Sequence, residues 1–144
     1  MRCELDISMT KEEDIMYEMK DEYRTGIELI DQEHTRLFEI ADELYELIQN
    51  EFIPDKYDYI VDVLNGLKEY AATHFKDEEE YMESIQYKKL FTQKIQHNAF
   101  IEKMESIELD DLDADQQQSC LDLLEFINDW LVHHILENDL LIGK

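Results

Sequence analysis

The chain has 144 residues and carries 37 acidic against 13 basic side chains, a formal net charge of −24. That excess argues against nucleic acid as a partner, because phosphate backbones are bound through basic surface. The length suits one domain with a substantial core, and a 44% hydrophobic fraction spread at regular intervals marks a folded chain rather than an acidic disordered tail.

Three glycines and one proline are too few for the turns of an all-β domain this size, so long helices are expected. Residues 10–22 form the first candidate, with Thr10 and Glu13 at capping-box spacing and Ile15, Met16, Met19 and Tyr23 at helical intervals. A stronger stripe of Ile30, His34, Leu37, Ala41, Leu44 and Ile48 predicts a helix over about 31–50. Asn50 to Pro54 interrupt it, and Pro54-Asp55 opens the next helix. A second stripe runs Ile60, Leu64, Leu67, Ala71, His74, Glu78, Tyr81, and a third Leu90, Gln93, His97, Phe100 or Ile101, Met104, Ile107. The acidic run 108–115 reads as a connection, and Asp113 with Gln116 offers a cap for a fourth stripe of Cys120, Leu124, Ile127, Leu131 and His134. Four amphipathic helices with short connections predict an all-α, antiparallel up-down-up-down four-helix bundle.

No apolar run approaches the ~18 residues of a membrane span, and the start lacks the apolar stretch of a signal peptide. Cys3 and Cys120 lie far apart and form no CxxC, so both are expected to be reduced thiols in a cytoplasmic protein. Asp111, Asp113 and Asp115 mimic the start of a calcium loop. Gln116 then takes the glycine position and Asp122 the place of the bidentate glutamate, so the run reads as a solvated loop.

The informative residues are polar ones in apolar stripes. His34, His74, His97 and His134 each fall on a different predicted helix. One inward histidine is ordinarily a hydrogen-bonded core residue; four, one per helix, point to a shared metal ion. Glu78 follows His74 by four residues and shares its face, and a buried carboxylate there is costly unless a cation compensates it. Its neighbours Glu79 and Glu80 are expected to face solvent. Asp139 follows His134 by five, a step that turns about 140° off the histidine's line, so spacing alone favours His133 with Glu137. Imidazole and carboxylate without thiolate suit iron, manganese, zinc or copper, and facing helices are where bundles build dinuclear carboxylate sites. The Glu-x-x-His motif of ferritin-like proteins is missing; of the positions three before the histidines, only Asp31 is acidic.

Taken together, GIELIDQEHTRLFEIADEL around His34, HFKDEEEYM from His74, HNAFIEKM from His97 and DWLVHHILENDLLIG with His134 and Asp139 resemble the bacterial hemerythrin family. The resemblance implies a four-helix bundle over 26–144, after an extension of residues 1–25, and a centre of two non-haem iron ions bridged by oxo or hydroxo. It implies reversible binding of dioxygen. Carried onto this chain, His34 and His74 would be terminal ligands of the iron with an open position, His97 and His134 ligands of the other, and Glu78 and Asp139 the bridges.

The family pattern in the third helix is HxxxH, and Gln93 holds its first position here. A glutamine carbonyl is a weak neutral ligand. Gln93 coordinates, water replaces the lost imidazole, or another residue moves in. A more open second iron would favour faster oxidation and oxidase- or peroxidase-like chemistry. Met19 stands where the family commonly has tryptophan, and His133 resembles a non-ligand surface position. Three functions follow: an oxygen-binding di-iron protein for storage, delivery or sensing; an oxygen- or peroxide-consuming enzyme on the same scaffold; and a metal-free acidic interaction bundle.

Overall fold

Helices form where the periodic stripes predict them. The computed structural model describes residues 17–107 and 116–144. In it α1 spans Glu28–Gln49, α2 Tyr57–Ser84, α3 Leu90–Glu105 and α4 Gln116–His134. From α4 the chain continues through a π-helical turn, Ile135–Asp139, into the short α5, Leu140–Ile142. No strand occurs among the described residues, and no helix among them is long and apolar enough to cross a membrane.

Helix α1 packs on α2 and α4, and α2 packs on α3. Phe100 of α3 closes the ring against Phe126 and Trp130 of α4, with ring centroids at 5.8 and 4.5 Å. The links at 50–56 and 85–89 are short, which forces successive helices to run antiparallel. Asp55 helps to start α2 by accepting the Tyr57 N–H at 3.0 Å. Leu37, Leu44, Ile60, Leu64, Leu67, Leu124, Ile127 and Leu131 are all buried in one apolar core. Each such side chain contributes about 1.5–3 kcal/mol on burial, and this core carries the stability that lets polar groups be buried elsewhere in the bundle. Met82 rather than Tyr81 completes the α2 face, since Met82 is fully buried and Tyr81 half-buried.

The first candidate helix differs. Thr10, Glu13, Ile15 and Met16 lie outside the described residues, as do Asp111, Asp113 and Asp115. Residues 17–20 are not helical, and Asp21–Tyr23 is a single 3₁₀ turn. Tyr17, Met19 and Tyr23 nonetheless pack on the bundle. Their even spacing, two and then four, suits an extended segment, whose alternate side chains share a direction, as well as it suits a helix. Tyr23 stacks on Phe38 at 5.5 Å.

Asp31 ties down the start of α1. Its carboxylate accepts the Thr25 N–H and Oγ1–H, both at 2.8 Å, and the Gly26 N–H at 3.1 Å. Gly26 makes this possible with a φ of +87°. The other end of the chain returns to the same loop: a Cβ on Gly143 would overlap the Thr25 carbonyl oxygen. Gly143→Ala is therefore expected to lower stability by about 1–3 kcal/mol, the usual cost of overpacking. Urea denaturation checks this, and an unchanged midpoint would mean Gly143 and Thr25 do not pack so closely.

Candidate metal centre

The fold brings the inward polar residues of all four helices to one level. His34 comes from α1, His74 and Glu78 from α2, Gln93 and His97 from α3, His134 from the end of α4 and Asp139 from the π-helical turn. Each is 4% exposed or less. The π turn resolves the awkward five-residue step. An i→i+5 turn holds one residue more than an α-helical turn, so it cancels about 100° of rotation and gives Asp139 the register of an i+4 residue. The pairing that spacing alone favoured is overturned for that reason: His133 and Glu137 are exposed, and His133 Nδ1 lies 2.8 Å from the Asp129 carbonyl. Asp31, held by Thr25 and Gly26, takes no part.

Two donor sets result. His34, His74, Glu78 and Asp139 form one, and Glu78, His97, His134 and Asp139 the other; within each, one donor atom per residue lies within 4.8 Å of the rest. Both carboxylates are shared, one oxygen to each side. Glu78 Oε2 is 3.6 Å from His34 Nε2 and 3.4 Å from His74 Nε2, while its Oε1 is 2.9 Å from His97 Nε2. Asp139 Oδ2 is 3.1 Å from His34 Nε2 and its Oδ1 3.2 Å from His134 Nε2.

Outer groups orient the rings. His74 Nδ1 lies 2.8 Å from Glu33, His97 Nδ1 2.8 Å from Glu79, and His134 Nδ1 2.8 Å from the Gln96 side-chain oxygen. An ionised carboxylate only accepts, so Glu33 and Glu79 place a proton on Nδ1 and turn each Nε2 toward the centre. Glu79 is thus half-buried rather than solvent-facing, because a residue one step from Glu78 turns toward the neighbouring helix α3. Glu80 is exposed. Phe75 stacks on His97 at 4.1 Å and Trp130 on His134 at 4.5 Å. Glu33, Glu79 and Gln96 each stand next to an inward residue in sequence, the one signal that could have singled them out.

The residues fit a pair of cations. His34 Nε2, both Glu78 oxygens, Asp139 Oδ2 and Gln93 Oε1 are buried with no hydrogen-bond partner. Buried acceptors that face one another unsatisfied cost several kcal/mol unless a positive ion is shared among them. Protons do part of that work in the metal-free protein. Burial alone would lower the His74 pKa, but Glu33 and Glu78 outweigh it and push it up to about 10. Burial would raise Glu78, yet the three imidazoles around it hold it well below the usual carboxylate range.

A histidine pKa raised on folding contributes stability that is full below its unfolded value and lost as pH rises through the folded one. Metal-free protein should therefore lose stability between about pH 6.5 and 10, while iron, by replacing the proton, should flatten that decline. Thermal melts of both forms across this range check it. Parallel declines would show that iron does not displace the His74 proton.

Residues 25–144 match the Hemerythrin HHE cation binding domain. The chain belongs to the hemerythrin family. It is 51% identical over 124 residues to bacteriohemerythrin of Clostridium acetobutylicum, covering 86% of this chain and 96% of that protein. It is 27% identical to bacteriohemerythrin of Pseudomonas aeruginosa over 83% of this chain and 74% of that protein, and 25% identical to that of Methylococcus capsulatus over 85% and 89%. Hemerythrin-family proteins bind a pair of iron ions, and the two donor sets can hold one ion each. The metal-free reading of the four histidines gives way to this.

At Gln93 the structure adds a fact. Its Nε2 donates to Asp139 Oδ1 at 3.1 Å, while its Oε1 has no partner. The amide thus stands beside the second donor set.

Proposed function

We propose that this hemerythrin-family protein binds dioxygen reversibly at a di-iron centre held by His34, His74, Glu78, His97, His134 and Asp139. The sharing of Glu78 and Asp139 between two equal donor sets carries the di-iron part of this reading, because it fits two ions held close together and partly neutralised by two carboxylates, and membership of the hemerythrin family supports the dioxygen part. Bound ferrous iron supplies the electrons that dioxygen binding draws on. The chain's own residues do the rest. His34, Glu78 and Asp139 are 0% exposed, which keeps bulk water from the centre. Glu33 and Glu79 hold the Nδ1 protons of His74 and His97, fixing which nitrogen faces the metal. A free buried thiol at Cys120, pushed up to about 11 by burial, suits the reducing cytoplasm we assign as its location.

Mixing the ferrous protein with oxygen tests the proposal. An adduct spectrum that disappears when oxygen pressure falls and returns when it rises is expected; irreversible oxidation on first exposure would overturn it.

Gln93 supports a second reading, an oxygen- or peroxide-consuming enzyme. With glutamine in place of a fifth imidazole, each set contains two histidines and one oxygen from each carboxylate, so the second ion has no more protein donors of these types than the first. Sustained consumption of peroxide by the iron-loaded protein would favour this reading over carriage.

A further inference from the structure

We propose that a surface groove over His134 docks a one-electron donor with a positively charged face, and that Trp130 relays the electron to the metal centre. The inference rests on the di-iron reading and adds the route by which ferric iron is returned to the ferrous state. Each passage moves one electron: the donor is oxidised, one ferric ion is reduced, and no bond forms or breaks.

The groove, of about 470 Å³, lies along α3, α4 and the π turn, and Gln96, Asp129, Trp130, His133, His134 and Glu137 are among its lining. His134 is the candidate ligand that reaches it, and at 4% exposure it is slightly less covered than His34, His74 and His97. Trp130, the chain's single tryptophan, is half-buried and lies nearly parallel to the His134 ring, at 4.5 Å and 10°. Parallel contact couples the indole to the imidazole whose Nε2 faces the second donor set. A reductant touching Trp130 is therefore one side chain from a candidate ligand. The lining holds two carboxylates, Asp129 and Glu137, and neither lysine nor arginine. On a chain of net charge −24 this favours approach by a cationic surface and repels an anionic one.

Stopped-flow reduction of the ferric, iron-loaded protein tests the relay, with hexaammineruthenium(II) as a cationic reductant and dithionite as an anionic one. Trp130→Leu should slow the ruthenium reaction several-fold per bound iron, and Trp130→Phe should keep most of the rate. Asp129→Lys with Glu137→Lys should slow ruthenium about tenfold at low salt and speed dithionite, both effects vanishing at high salt. An unaffected rate in Trp130→Leu would overturn the relay. The same charge effect from Glu39→Lys with Glu43→Lys on α1 would overturn docking at the groove.

Fluorescence of Trp130 gives a metal-free check: with each ion's quenching scaled to its effect on free N-acetyltryptophanamide, caesium should quench it more than iodide, and the double lysine variant should reverse the order. Equal quenching overturns the groove's charge preference and leaves the di-iron reading standing. Failure of the chain to hold iron, with the quenching as expected, overturns the di-iron reading and the relay with it.

Discussion

Glu78→Gln protein is expected to lose nearly all of its iron, from two ions per chain toward none. Glu78 offers one oxygen to each donor set, and a glutamine amide offers a single neutral carbonyl in its place. No other change of one atom in the centre removes a charge from both sides at once, except the equivalent change at Asp139. The metal-free variant should also be less stable. His34, His74 and His97 all lie within 3.6 Å of the Glu78 carboxylate, and removing one partner of a buried charged pair costs about 3–5 kcal/mol. Glu80→Gln is the control, being exposed two residues away. Iron counted by plasma emission after loading and desalting decides the matter. Two ions retained by Glu78→Gln would mean that Glu78 is no bridge.

Gln93→His should act in the opposite direction. The side chain is 1% exposed, and its amide nitrogen already touches Asp139 Oδ1, so an imidazole at this position reaches the second donor set. A third imidazole there should hold the second ion more tightly than glutamine, which offers at most one weak neutral carbonyl. Iron retention against a chelator should rise and oxidation of the ferrous protein should slow. The hydrogen bond to Asp139 can survive only if the new ring donates in its turn, which makes Gln93→Leu the useful partner variant: it should lose iron faster than the parent. Identical retention and oxidation rate in parent and Gln93→His would show that Gln93 has no part in tuning the centre.

The four helices were legible because burial on a helix repeats every 3.6 residues, and Leu64, Leu67, Ala71 and His74 or Cys120, Leu124, Ile127 and Leu131 keep that beat without interruption. Where the backbone leaves the α-helix, the beat misleads. Asp139 falls off the His134 line by ideal geometry, and it took the resemblance to the family, not spacing, to nominate it; the π turn at Ile135–Asp139 is the physical reason. The segment before α1 shows the converse. Met19 and Tyr23 are four apart as in a helix, yet they pack from a non-helical stretch and a 3₁₀ turn.

Glu33, Glu79 and Gln96 were illegible for another reason. A polar residue beside an inward one in a helix is rotated by about 100°, which takes it to solvent on a lone helix but to a neighbouring helix in a bundle. Periodicity cannot distinguish the two, because the answer depends on interhelical packing. Gln93 was visible as a departure, but only the structure shows which way it works, donating from Nε2 to Asp139 while Oε1 lacks a partner.

Anomalous diffraction at the iron edge from crystals of the loaded protein would locate the ions directly. Two peaks per chain are expected, one among His34, His74, Glu78 and Asp139 and the other among Glu78, His97, His134 and Asp139, with both carboxylates touching both ions. A single peak, or iron bound only to surface carboxylates, would contradict it.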